Sequence, residues 1–91
     1  MKQLIISAQK ALFQSITKNT KAVYAKIEND TLVWHVYFDE APTDDEMELL
    51  SIAATEILAD FPNVLHCDER YVTHPEPLHF DSYEHWVYAR I

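Results

Sequence analysis

The sequence predicts an α+β fold in the order helix, strand, strand, helix, strand, strand, with a four-stranded, mainly antiparallel sheet carrying both helices on one face. Three observations predict it. Two segments repeat apolar residues every three or four positions, shorter segments alternate apolar with polar residues, and asparagine, aspartate and proline fall at the junctions. The chain's 91 residues suffice for one domain spanning 1–91 around a single core, and 48% hydrophobic against 24% charged residues is the composition of a globular chain.

Residues 4–18 place Ile5, Ala8, Leu12 and Ile16 on one stripe and Gln9, Lys10 and Gln14 elsewhere, the pattern of an amphipathic helix closed by Asn19 and Thr20. In residues 22–28, Val23, Ala25 and Ile27 alternate with Ala22, Tyr24, Lys26 and Glu28. After the turn residues Asn29 and Asp30 the alternation resumes over 32–38, setting Leu32, Trp34, Val36 and Phe38 against Val33, His35 and Tyr37. These two strands form a hairpin. The second helix, 43–61, opens on a capping box of Thr43 and Glu46, with Asp44 and Asp45 beside the positive end of the helix dipole. Met47, Leu50, Ala54, Ile57, Leu58 and Phe61 make its core face, while Asp44, Asp45, Glu48, Glu56 and Asp60 span the other side, and Pro62 stops it. Residues 64–72 read as a third strand with a polar centre, and YEHWVYARI, 83–91, as a fourth. The intervening THPEPLHFDS holds two prolines and is excluded from the middle of a sheet.

Helices on one face leave the other face of the sheet bare. Tyr24, Lys26, Val33, His35 and Tyr37 are candidates for it, with Tyr71, Trp86 and Tyr88 as further ones, and such an aromatic, mixed-polarity surface suits recognition, cross-strand packing or coverage by the 73–82 loop.

Charge divides along the chain. Residues 1–27 hold five lysines and no carboxylate, whereas residues 28–91 hold all fifteen carboxylates against Arg70 and Arg90, for a net −8. A field of that sign disfavours nucleic acid and anionic membrane and favours a basic protein as partner. Glycine is absent, which excludes phosphate-cradling loops and dinucleotide fingerprints. Cys67 is the only cysteine, no run approaches about 18 apolar residues, and Lys10 interrupts the opening apolar stretch, so a reducing, cytoplasmic setting is expected.

Chemical signatures are weak. His66, Cys67, His74, His79, Asp81 and His85 cluster in the last third, but their spacing fits no paired zinc-ligand pattern, and adjacent His66 and Cys67 would point to opposite sheet faces. Neither metal nor cofactor is expected. A Cys67 nucleophile would need a histidine and an orienting carboxylate brought together by folding, and no spacing fixes that geometry, so the chain is not expected to be an enzyme. The second helix is more informative: Ile52 projects between Asp45 and Glu48, with Leu49 on the same side, as an apolar anchor within a charged rim.

KALFQSI, the hairpin AVYAKIENDTLVWHVYF, the proline-bounded PTDDEMELLSIAATEILADFP and the aromatic end EHWVYARI together resemble the small cytoplasmic immunity proteins encoded beside bacterial contact-dependent inhibition and other polymorphic toxins. The resemblance implies a protein that binds and blocks a cognate toxin domain, most often a nuclease, whose basic cleft an acidic protein would complement. On that expectation the contact surface comprises Asp44, Asp45, Glu48, Ile52 and Glu56, with Asp39 and Glu40 leading into it. The alternative is a small α+β binding or regulatory module that takes a small molecule or a homologous subunit, a second copy of itself included, on its open sheet.

Overall fold

A computed structural model describes residues 2–13, 15–78 and 85–89. Along the chain run α1 (Lys2–Leu12), β1 (Thr20–Glu28), β2 (Thr31–Phe38), α2 (Asp44–Asp60), β3 (His66–Thr73) and β4 (Trp86–Ala89). This is the expected order. Of the expected segments, position 14 of the first helix and positions 83, 84, 90 and 91 of the fourth strand lie outside the described residues.

The strands lie side by side as β3-β2-β1-β4. β1 is antiparallel to β2 and to β4, but β2 and β3 are parallel, so the sheet is mixed and not mainly antiparallel as expected. The reason is the connection: a helix as long as α2 carries the chain back along the sheet, and the next strand then starts from the same end as β2. Asp30 in the hairpin turn fixes that starting point, since its carbonyl accepts the amides of Leu65 at 2.7 Å and His66 at 3.1 Å. The hairpin turn itself is two residues long, with Asn29 in the left-handed region at φ 57°, a conformation asparagine tolerates.

The core lies between the sheet and the helices. Leu32, Trp34, Val36 and Phe38 are buried on alternate positions of β2, opposite Val23 and Ala25 of β1, and meet Leu50, Ala53, Ala54 and Ile57 of α2 and Leu4, Ala8, Ala11 and Leu12 of α1. At its centre the buried Trp34 indole donates Nε1–H to the Leu50 carbonyl at 3.1 Å. Small residues at Ser7, Ala8 and Ala11 on α1 and at Ala53 and Ala54 on α2 are all buried, which lets the helices approach closely. Ser7 Oγ then donates across to Asp60 Oδ2 at 2.6 Å.

α1 departs from expectation in length and rotation. It ends at Leu12, where three-residue turns begin with Phe13 N–H to Lys10 O and Ser15 N–H to Leu12 O. Its inward stripe is Leu4, Ser7, Ala8, Ala11 and Leu12, so Ile5 is half-buried while Ile6 and Phe13 are left outside. A bulge at Lys21 lengthens β1 relative to β2 and turns the lysine inward. Its ammonium pairs with Asp39 at 3.1 Å and donates to the carbonyls of His74 and Glu76, clamping the segment that leaves β3.

Replacing Trp34 with phenylalanine removes both the indole donor and part of the core volume. The expected cost is about 2 kcal/mol, read as a lower urea midpoint at unchanged slope.

Candidate partner-binding surface

α2 is set by its N-terminus. Thr43 Oγ1 accepts the Glu46 amide at 3.1 Å, and Glu46 Oε1 accepts the Thr43 amide at 3.0 Å, completing the capping box. The same glutamate accepts the Thr17 hydroxyl and the Asn19 side-chain amide, which ties the helix entry to the segment between α1 and β1. Thr17 and the Thr43 amide hold the Glu46 carboxyl below the ordinary glutamate range.

With Leu50, Ala54 and Ile57 buried, the other side of α2 faces solvent. Asp44, Asp45, Glu48, Ile52 and Glu56 are all exposed there, Ile52 to 48%, and none of the four carboxylates is in an ion pair among the described residues. Asp39 is different: it is half-buried and engaged by Lys21. Glu40 is exposed, but its backbone is held by Asn19, whose side chain accepts the Glu40 amide at 2.8 Å and donates to its carbonyl at 2.9 Å. The two residues leading into the helix thus fasten the entry, and the free carboxylates belong to the helix itself.

Ile52 and Glu56 share a depression of about 300 Å³ with Leu49 of the same helix and with Lys10 and Phe13 from the α1 side. Phe13 is 83% exposed, Ile6 50% and Leu49 39%, and a second hollow of about 480 Å³ continues along α1 past Ile6, Gln9, Lys10 and Phe13. Ile6 and Phe13 were absent from the expected surface. Their spacing of seven held the signal, since in the helix expected over 4–18 it puts them on one stripe; α1 ends one residue short of Phe13, and both stay outside the stripe that packs.

Across the sheet, Tyr24, Lys26, Val33, His35, Tyr37 and Trp86 line a shallow hollow of about 390 Å³ with Glu28 and Asp68. Its rings touch one another: Trp86 lies 5.2 Å from Tyr24 and 5.5 Å from Tyr37 between centroids, and Tyr24 stacks on His35 at 5.9 Å. Tyr71 and Tyr88 are not part of this face. Register places them beside Val36 and Val23, on the helix side, where both pack against the core. Tyr71 donates its hydroxyl to Glu69 at 2.5 Å, and burial raises its phenol above the usual range. On the hollow's rim, the hydrogen bond from His35 holds the Asp68 carboxyl below its usual range.

The chemically versatile side chains are dispersed. Burial and the nearby Glu69 and Asp68 push the Cys67 thiol up to about 11, so it is protonated at neutral pH. His66 lies near Asp30, His74 against Glu76 and Tyr37, and His85 against Tyr24, while His79 and Asp81 lie outside the described residues. Among the described residues no three histidine, cysteine or carboxylate groups converge as a metal-ligand set, and no helix is long and apolar enough to cross a membrane.

A sheet whose far face is aromatic and uncovered by any helix among the described residues, backed by helices whose outer surface mixes carboxylates with exposed apolar side chains, defines a small α+β recognition domain. The chain belongs to the MafI2 immunity protein family, whose model matches residues 1–91. It is accordingly an immunity protein, and the family implies a cognate toxin as partner. No curated protein matches it.

The capping box carries a pH signature. Because folding lowers the Glu46 carboxyl below its unfolded value of about 4.3, its stabilisation is present above that pH and is lost as pH falls through the folded value. Urea unfolding from pH 6 to 3 should show Glu46→Gln less stable at the upper end and less pH-dependent, and Thr43→Ala less stable by about 1 kcal/mol.

Proposed function

We propose that this immunity protein neutralises its toxin by direct binding through the acidic outer face of α2, and that the partner is a basic toxin domain, with a nuclease as the favoured class. The observation that carries this reading is the solvent face of α2, where Asp44, Asp45, Glu48 and Glu56 surround the exposed Ile52 with no cation of the chain paired to them among the described residues. Carboxylates left without partners in the free protein are available to a cationic surface, and an apolar side chain among them supplies the desolvated contact that slows dissociation. A nuclease must attract a polyanion, so its cleft presents the complementary sign.

No catalytic step is assigned to the chain. The Cys67 thiol is in its weakly nucleophilic neutral form, and inhibition by occlusion requires only affinity. The inhibitor acts in the cytoplasm, where a toxin produced by or delivered to the cell would meet its substrate. Asp39 and Glu40 complete the contact at the entry to α2, beyond their part in holding the loop.

The test is protection of cells and affinity in vitro against the toxin domain encoded beside this protein. Ile52→Ala combined with Asp45→Lys and Glu48→Lys is expected to weaken binding at least about 100-fold, since charge reversal converts two attractions into repulsions at a buried contact. Unchanged protection would move the interface to the aromatic sheet face. Raising salt from low to physiological concentration should lower the association rate more than it raises the dissociation rate, as steering by a −8 protein requires.

A further inference from the structure

The exposed apolar residues of the two helices form one continuous feature. On α2, Asp45, Leu49, Ile52 and Glu56 follow one another at four, three and four residues, which stacks them on a single stripe with the apolar pair between two carboxylates. Ile6 sits two turns before Phe13 on the α1 side, with Lys10 between them, and Lys10 and Phe13 share with Leu49, Ile52 and Glu56 the depression between the helices. The result is a groove with an apolar floor. Its α2 wall is acidic.

We propose, as a refinement that rests on the immunity reading above, that the part of the toxin seated on this protein is an amphipathic α-helix with lysine or arginine flanking its apolar stripe, laid into the groove between α1 and α2. The backbone argues for a helix. The lining comes from α2, from α1 and from the turns just past its end, with no strand edge among it, so the groove offers an extended segment no ladder to pair with, and an occupant must satisfy its own backbone as a helix does. Charge selects the flanks: basic residues one turn beyond the partner's apolar pair would meet Asp45 and Glu56. Asp60 is not counted, being bonded to Ser7.

The experiment uses the purified complex with the toxin domain encoded beside this protein, combining titration of variants with amide hydrogen exchange on the toxin. Phe13→Ala should weaken binding at least tenfold and Leu49→Asp at least 100-fold, while Tyr24→Ala and Tyr37→Ala on the far sheet face change it less than threefold. Circular dichroism should show each variant folded, as expected for exposed groove positions. The toxin peptide protected in the complex should fall in a helix carrying apolar residues at i, i+3 or i+4, and i+7 with basic neighbours. Neutral Phe13 and Leu49 variants alongside a damaging Asp45→Lys, Glu48→Lys pair would overturn the groove while leaving the acidic-face reading intact. Protection of a toxin strand or loop would overturn the helix. Failure of the unaltered protein to bind the toxin domain would overturn both readings.

Discussion

The hydrogen bond from the Trp34 indole to the Leu50 carbonyl is the constraint on which the arrangement of the molecule depends. Trp34 sits fully buried on β2, an inner strand, and an indole N–H removed from water must find an acceptor or cost stability of order 1 to 3 kcal/mol. It finds one on the backbone of α2, which fixes that helix in position along the strand and in rotation about its own axis. Ile52 then lies about 200° around the helix from Leu50, and so it faces solvent. The surface proposed for the partner is therefore set by a contact in the core. Glu46, one turn earlier and bonded to Thr17, Asn19 and Thr43, holds the N-terminus of the same helix.

What sequence patterns disclosed and what they concealed follow one physical line. The hairpin was legible because a half-buried strand must alternate, and Leu32, Trp34, Val36 and Phe38 alternate without interruption. The start of α2 was legible because a capping box is local chemistry. α1 was harder. Leu4, Ile5, Ile6, Ala8, Ala11 and Leu12, with Phe13 just past its end, offer two helical stripes, and the chosen one buries the small residues Ser7, Ala8 and Ala11, because close approach to Ala53 and Ala54 outweighs burying a larger Ile6 or Phe13. No count of apolar positions along α1 alone carries that information. The parallel pairing of β2 with β3 was implicit in the helix between them, yet the expectation followed the antiparallel hairpin. Tyr71 and Tyr88 were ambiguous for a similar reason: the polar centre of β3 and the bulge between Val23 and Tyr24 shift which residues share a face.

The candidate surface was legible in part. Ile52 among carboxylates could be projected from sequence because it lies on one regular helix, but its neighbours Phe13 and Lys10 come from about forty positions earlier and required the tertiary fold. The acidic bias has its own consequence for stability. Carboxylates without partners on α2 repel one another in the free protein, and those near its N-terminus are offset by the helix dipole, whereas Glu56 lies beyond that help, with Lys10 lining the same depression. Such a surface gives up some stability in isolation and would recover it against the cationic partner proposed above.

Between the two exposed faces, packing state decides which is the better anchor. On the sheet, Trp86 already lies within 6 Å of both Tyr24 and Tyr37 by centroid, and all three are half-buried, so much of their apolar area is covered before any partner binds. Their further burial would release little water. Phe13, by contrast, is 83% exposed and has lost almost none of its hydration, and covering a side chain of that size contributes about 2 kcal/mol. Leu49 and Ile52 add to it in the same depression, next to carboxylates that can be satisfied by the partner's cations. An apolar cluster of this kind is a liability on a protein that works alone, because it invites nonspecific association, and the neighbouring negative charge limits that hazard by repelling further copies of the same acidic chain. The combination favours one encounter above others: a surface that is positive and apolar at once.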